Sequence, residues 1–251
     1  MLWMPRQELS LLESSNTMLR SYTAFDLETT GLNPETNEII EIGALKVRDG
    51  KIVDRFMEFI CPECDIPELA QEITGITNEM VCDSRCNKDV VTDFIKFCED
   101  DILIGHNVKF DYSFMKASAV KLGLSFEKKG IDTLKIARKV HKDLESKSLA
   151  SLCDYYNIVN PAAHRAYYDA LSTAKLYQNL AHYFEEDEPG LFKPEMLMYK
   201  PKKVSPATKR QLEFLNNLIN SRGVELTYDP KSITKSQASR LIDDILSGRV
   251  D

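Results

Sequence analysis

Two carboxylates stand two residues apart in Phe25-Asp26-Leu27-Glu28, at the end of an apolar, β-prone run that begins at Tyr22 and breaks at Gly31 and Asn33-Pro34. On a strand, residues i and i+2 face the same way, so Asp26 and Glu28 project side by side. Two adjacent anions at the end of a buried strand are costly unless something positive sits between them. Hard divalent cations such as Mg²⁺ or Mn²⁺ prefer oxygen ligands of this kind. A solvated acidic pair where a strand meets a loop has the same spelling, so the pair needs company. One companion segment is Gly105-His106-Asn107-x-x-Phe110-Asp111, where a strand ends, a polar loop follows and Asp111 opens a helix. An acid there suits the helix dipole. The other is His164-x-x-x-x-Asp169, at the start of the last long helix. Alone, the first reads equally well as a helix cap and the second as a hydrogen-bonded structural histidine.

Strands are expected over 22–27, 39–47 and 51–60, the last two joined by Asp49-Gly50, a dipeptide that supplies the positive φ of a tight hairpin turn. Glu41 interrupts the second strand, an acid expected close to the carboxylate pair. A loop with a short helix over 62–77 ends in Ile73-Thr-Gly-Ile-Thr77. Helical spacing follows over 89–99, a short strand over 102–104, and a helix from Asp111 to about 122. Two short helices are expected over 132–140 and 148–156, and a long one over 166–184. Strands with a hairpin, followed by strands alternating with helices, make an α/β fold whose mixed sheet is covered by helices. Residues 185–206, with Glu185-Glu-Asp-Glu188 and several prolines, read as a linker. Residues 207–251 read as a small helical module of two amphipathic helices, separated by a Gly223 stop and a Tyr228-Asp-Pro230 turn, and a candidate for docking on DNA or protein. Residues 1–20 form a leader with no assigned function.

The 251 residues, 43 % of them hydrophobic, leave room for one sizeable core and a small second unit. No apolar run approaches the ~18 residues of a membrane span, so no membrane role is expected. The first twenty residues hold no secretory apolar region, and six cysteines without one suit free thiols and a cytoplasmic location. Cys61-Pro-Glu-Cys64 and Cys82-Asp-Ser-Arg-Cys86 come near a zinc-ribbon spacing, but the first pair ends a strand and the second starts a helix, so free thiols are expected. Residues 200–251 carry ten Lys/Arg against six Asp/Glu, and this +4 leaves −11 on the rest of a chain whose net charge is −7. An acidic body with a basic tail hints at a polyanionic partner for the tail.

Taken together and in order, Asp-Leu-Glu-Thr-Thr-Gly-Leu, Ile-Thr-Gly-Ile-Thr, Gly-His-Asn-x-x-Phe-Asp and His-x-x-x-x-Asp resemble the DEDDh family of 3′-to-5′ exonucleases, the proofreading type of the DNA polymerase III epsilon subunit. The match runs over about 21–184. The resemblance implies a ribonuclease-H-like fold with a five-stranded mixed sheet. It implies two divalent cations, Mg²⁺ or Mn²⁺, which activate a water and steady the leaving 3′ oxygen. Asp26 would bridge both, Glu28 and Asp169 would complete the first site and Asp111 would serve the second. His164 would be the general base, a task suited to an imidazole near neutral pH. Thr29, Thr30 and Leu32 occupy the positions that hold the terminal nucleotide, with Leu32 as an apolar wedge, and Asn107 and Phe110 lie where the family contacts the strand. Many relatives have a histidine where this chain has Thr74, so no histidine contact is expected from that loop.

The expected activity is hydrolysis at single-stranded DNA 3′ ends, releasing nucleoside monophosphates in replication or repair, with a DNA polymerase or another such protein as a possible partner. One alternative is a 3′-to-5′ exoribonuclease, since stacking on single strands does not distinguish the sugars. Another is a catalytically silent nucleic-acid-binding subunit, against which the five intact polar positions argue.

Overall fold

The computed structural model describes residues 18–201, 205–224 and 233–248. Among these, the strands are β1 (Tyr22–Thr29), β2 (Ile39–Arg48), β3 (Lys51–Cys61), β4 (Arg85–Cys86), β5 (Leu103–Gly105), β6 (Lys129–Asp132) and β7 (Glu195–Met196). The helices are α1 (Glu68–Thr74), α2 (Asn78–Val81), α3 (Asn87–Cys98), α4 (Val108–Lys121), α5 (Thr133–Val140), α6 (Leu149–Tyr155), α7 (Ala166–Phe184), α8 (Lys209–Arg222) and α9 (Lys235–Leu246).

The strands form one sheet in the order β4-β3-β2-β1-β5-β6-β7. β1, β2 and β3 are an antiparallel meander, while β5 and β6 run parallel to β1. The β2–β3 turn has φ of 52° at Asp49 and 79° at Gly50, the doubly left-handed geometry expected of that dipeptide. The expected mixed α/β sheet is therefore present, with two further strands of two residues each at its edges. β6 has no alternating pattern to announce it; its Lys-Gly-Ile-Asp is a strand because β5 and β7 flank it.

Alternation along β1 sorts its side chains between two layers. Phe25 and Leu27 enter a core with Phe94, Tyr112, Phe114 and Phe126 beneath α3 and α4. Tyr22 and Ala24 enter the opposite core with Leu45, Ile104, Tyr177 and Leu180 beneath α5, α6 and α7. Asp26 and Glu28 continue the second series, so both face the α7 layer at the carboxyl end of the strand.

The stretch expected to be a linker is in its first half part of the body. Phe192 joins the α7-side core, Leu197 joins the α4-side core, and Glu195–Met196 pairs with β6. The acidic run and the prolines masked these apolar anchors; Pro189 in fact opens a short 3-10 turn (Pro189–Phe192). Of the expected leader, residues 18–20 are described, with Met18 and Leu19 packed on the α7-side core, while 1–17 lie outside the described residues, as does the Tyr228-Asp-Pro230 turn. α8 and α9 each start with a capping box, Thr208 with Gln211 and Thr234 with Gln237, and share a small core of Leu215, Val224, Ile233, Ala238 and Ile245.

One contact decides how α7 sits. Gly43 of β2 lies directly beneath the start of α7, where a Cβ would stand 1.9 Å from the Tyr167 backbone nitrogen and 2.1 Å from the Ala166 carbonyl carbon. Backbone cannot yield as a flexible side chain can. Gly43→Ala is expected to destabilise the protein by about 3 kcal/mol or more, since overpacking of ordinary side chains already costs about 1–3. Equilibrium denaturation checks this, and an unchanged midpoint would contradict it.

Candidate active site

Three chain segments meet at the carboxyl end of β1, beside the neighbouring end of β5, the side on which open α/β sheets commonly bind ligands. β1 supplies Asp26 and Glu28. α4, from the other layer, supplies Asp111, 3 % exposed, whose Oδ1 accepts from the backbone N–H of Leu27 at 3.1 Å, between the two β1 acids. The loop before α7 and its first turns supply His164 and Asp169.

The local chain explains each placement. Gly105 ends β5, and Asn107 takes a left-handed φ of 69° as the cap of α4, a conformation asparagine tolerates better than most residues. The Asn107 N–H donates to Asp132 Oδ1 at 3.0 Å, and the same carboxylate oxygen caps α5 by accepting from Leu134 and Lys135. Asp169 accepts from Asn160 Nδ2 at 2.7 Å through Oδ1 and from the His164 backbone N–H at 2.9 Å through Oδ2. The carboxylate thus folds the preceding loop back onto the helix and holds His164 at φ 62°, with its side chain exposed.

Glu28, His164 and Asp169 each offer a ligand atom, and these atoms lie within 4.8 Å of one another, the one group of His, Cys, Asp and Glu among the described residues that could hold a metal ion. The electrostatics extend the cluster. Burial, then Asp111, Glu28, Asp169 and Glu41, hold the Asp26 carboxyl well above the usual carboxylate range. Burial, followed by Asp169, Glu41 and Asp111, pushes Glu28 up to about 8. Burial likewise pushes Asp111 up to about 8 and raises Asp169, although hydrogen bonds from Asn160 and His164 oppose the rise in the latter. Four carboxylates thus repel one another in a partly desolvated corner. Hard oxygen donors that shed protons when a positive charge arrives fit divalent cations of the Mg²⁺ and Mn²⁺ type.

The substrate positions divide. Leu32, four residues after Glu28, is 84 % exposed. Phe110 is half-buried against Phe114, with ring centroids 5.0 Å apart. Asn107 is exposed. Thr29 and Thr30 are buried, and their hydroxyls serve the loop: Thr29 donates to the Gly31 carbonyl at 2.7 Å, and Thr30 accepts from the Glu38 N–H at 2.9 Å. They shape the turn that presents Leu32. Thr74 is spent in the same way, bonding the Ala70 carbonyl at 2.8 Å. His106 bonds Thr133 and the Lys147 carbonyl, away from the acids. The six cysteines are unpaired.

Sequence reasoning flagged Glu41 but missed Arg165 and Asn160. Nothing in their spacing could have found them, because their partners lie across loops and strands.

The family model for exonucleases, RNase_T, matches residues 23–177. DNA polymerase III PolC-type of Caldanaerobacter subterraneus is 37 % identical over 174 residues, 69 % of this chain and 12 % of that protein. The same protein of Pediococcus pentosaceus is 33 % identical over 240 residues, covering 90 % of this chain and 17 % of the relative. The chain therefore spans between about a tenth and a fifth of the length of these curated relatives. Among solved structures, Exonuclease X in complex with 5′ overhanging duplex DNA superposes with a TM-score of 0.53 at 26 % identity, covering 68 % of this chain and 99 % of that one. The nuclease domain of 3′hExo, a DEDDh family member bound to rAMP, shares the fold with a TM-score of 0.58 at 20 % identity, covering 73 % of this chain and all of that one. The chain belongs to the exonuclease family, whose model spans more than half of it, and it shares its fold with a DEDDh member.

Proposed function

We propose that the chain hydrolyses the terminal phosphodiester bond at 3′ ends of single-stranded DNA, with two divalent cations held by Asp26, Glu28, Asp111 and Asp169. What supports this reading is the crowding of four carboxylates, whose repulsion protons or a bound cation can relieve. When bound, such cations acidify a water and stabilise the leaving 3′ oxygen. Asp26, whose carboxyl is raised by both Asp111 and Glu28, would share in holding both cations. His164, exposed at the mouth of the cluster, takes the proton of the attacking water. Leu32 wedges against the last base, and Phe110 stacks on its neighbour, a contact worth ~1–3 kcal/mol for any base.

DNA is favoured over RNA because the curated relatives are DNA polymerases and Exonuclease X was solved on DNA. For the same reason its partner is proposed to be a DNA polymerase, and its compartment the cytoplasm, which its unpaired cysteines suit. We place the nuclease body at about 21–200 and the helical module beyond it, as a docking appendage for DNA or protein.

On 3′- and 5′-labelled single-stranded DNA and RNA with Mg²⁺ or Mn²⁺, stepwise shortening from the 3′ end is expected, faster on DNA. Chelator abolishes it, and Asp26→Ala lowers it by at least about 100-fold, the upper range for removing even an outer partner of a metal ligand. Faster shortening of RNA would install the exoribonuclease; no shortening of either polymer would leave a silent binding subunit.

The raised carboxylates also fix a pH dependence. Unfolded, Glu28 and Asp111 titrate near 4.5 and 3.8; folded and free of cation they titrate near 8, so the folded state binds the extra protons between these limits. Stability of the cation-free protein therefore falls as pH rises through that window. Cation binding needs the deprotonated acids, so the rise in melting temperature given by Mn²⁺ is expected to be larger at pH 8 than at pH 6. Thermal melts at both values check it, and a pH-independent shift would contradict it.

A further inference from the structure

The fifth acid near the cluster, Glu41, has a different occupation. It lies opposite Glu28 in the β1–β2 ladder and is only 4 % exposed. A buried carboxylate is tolerated when it is paired and fully hydrogen-bonded. Glu41 meets that condition through one short stretch of chain: Oε1 accepts from Arg165 Nη2 at 3.0 Å, and Oε2 accepts from the backbone N–H of Ala166 at 3.3 Å. The Arg165 guanidinium also sits over the Phe59 ring, 4.6 Å from its centroid, so β3 fixes its other side. Two residues along the same face of β2, Gly43 gives the backbone of Ala166 and Tyr167 its seat. β2 thus grips residues 165–167 at three points, and His164 is the residue immediately before that grip.

We infer that Glu41 and Arg165 form a positioning clamp, which sets where His164 and Asp169 stand relative to Asp26 and Glu28. Glu41 and Arg165 themselves hold neither cation nor substrate, and the inference rests on the proposed roles of the residues they place. His164 has a left-handed backbone, which a non-glycine residue keeps only when its surroundings impose it. The impositions are visible: Asp169 binds the His164 N–H from the helix, and the clamp holds the next residue. The pairing also keeps charge in order. Arg165 without Glu41 is free to turn to Glu28, where it would occupy the place of a cation. Glu41 without Arg165 adds a fifth anion to the cluster. Each single loss is therefore harmful, and losing both leaves a neutral gap.

The test uses the full chain with Glu41→Ala, Glu41→Gln, Arg165→Ala and the double alanine variant. It reads kcat and KM on 3′-labelled single-stranded DNA at saturating Mn²⁺, Mn²⁺ affinity by calorimetry, and melting of the cation-free protein. Each single alanine variant is expected to lose about 10- to 100-fold in kcat, the effect of a misplaced catalytic group, with KM within about 3-fold of wild type. Mn²⁺ affinity weakens about 10-fold. The double variant loses no more than the worse single one, the signature of residues acting as a unit. Glu41→Gln, still able to accept from the Ala166 N–H, recovers part of the kcat, and it carries the comparison if Glu41→Ala fails to melt cooperatively. A folded Glu41→Ala with kcat and Mn²⁺ affinity within about 2-fold of wild type overturns the clamp, as do single losses that multiply in the double variant. A wild-type chain that binds Mn²⁺ and cleaves nothing counts against the exonuclease reading, and the affinity comparison then decides the clamp by itself.

Discussion

Repulsion among carboxylates at the end of β1 is the constraint around which this protein is built. Asp26 and Glu28 come from one strand, Asp111 from α4 and Asp169 from α7, so elements in both layers must press like charges together. Burial raises the cost, because a carboxylate in a desolvated corner loses the water that would stabilise it. The fold meets that cost with hydrophobic packing elsewhere: the aromatic cluster of Phe25, Phe56, Phe94 and Phe97 under α3, and the Tyr22–Tyr177 contact under α7. A cation-binding site is a place where the folded chain has stored repulsion in advance of the ligand that relieves it.

The hydrogen bonds around the acids are correspondingly one-sided. Asp111 takes the Leu27 N–H, and Asp169 takes Asn160 and the His164 N–H, which orients each carboxylate without neutralising it. Among these acids, only Glu41 is given a full counter-charge, the Arg165 guanidinium. The contrast separates an acid with a full counter-charge from acids left without one, the acids proposed to receive a cation.

Much of this was legible in the sequence, for identifiable reasons. The i, i+2 spacing of Asp26 and Glu28, the Asp49-Gly50 turn and the apolar stripe of α7 are local, and local geometry carries them wherever they occur. The order and spacing of Asp111, His164 and Asp169 added the family resemblance. What stayed hidden was tertiary. β6 is a strand by virtue of its neighbours, and residues 189–197 belong to the body through Phe192 and Leu197 despite a linker-like composition. Thr29 and Thr30 sit at substrate positions by alignment of motif, yet their hydroxyls are engaged by their own loop. Arg165 follows His164 in sequence and shows nothing of its partner, which lies 124 residues away.

An acidic body that works on a polyanion needs its cations before its substrate, since four unscreened carboxylates would repel the phosphate they are meant to cleave. The most direct measurement is anomalous diffraction from crystals grown with Mn²⁺. Two manganese peaks coordinated by Asp26, Glu28, Asp111 and Asp169 are the predicted result. A corner without manganese at a cation concentration that supports activity, or manganese bound elsewhere on the chain, would contradict the account.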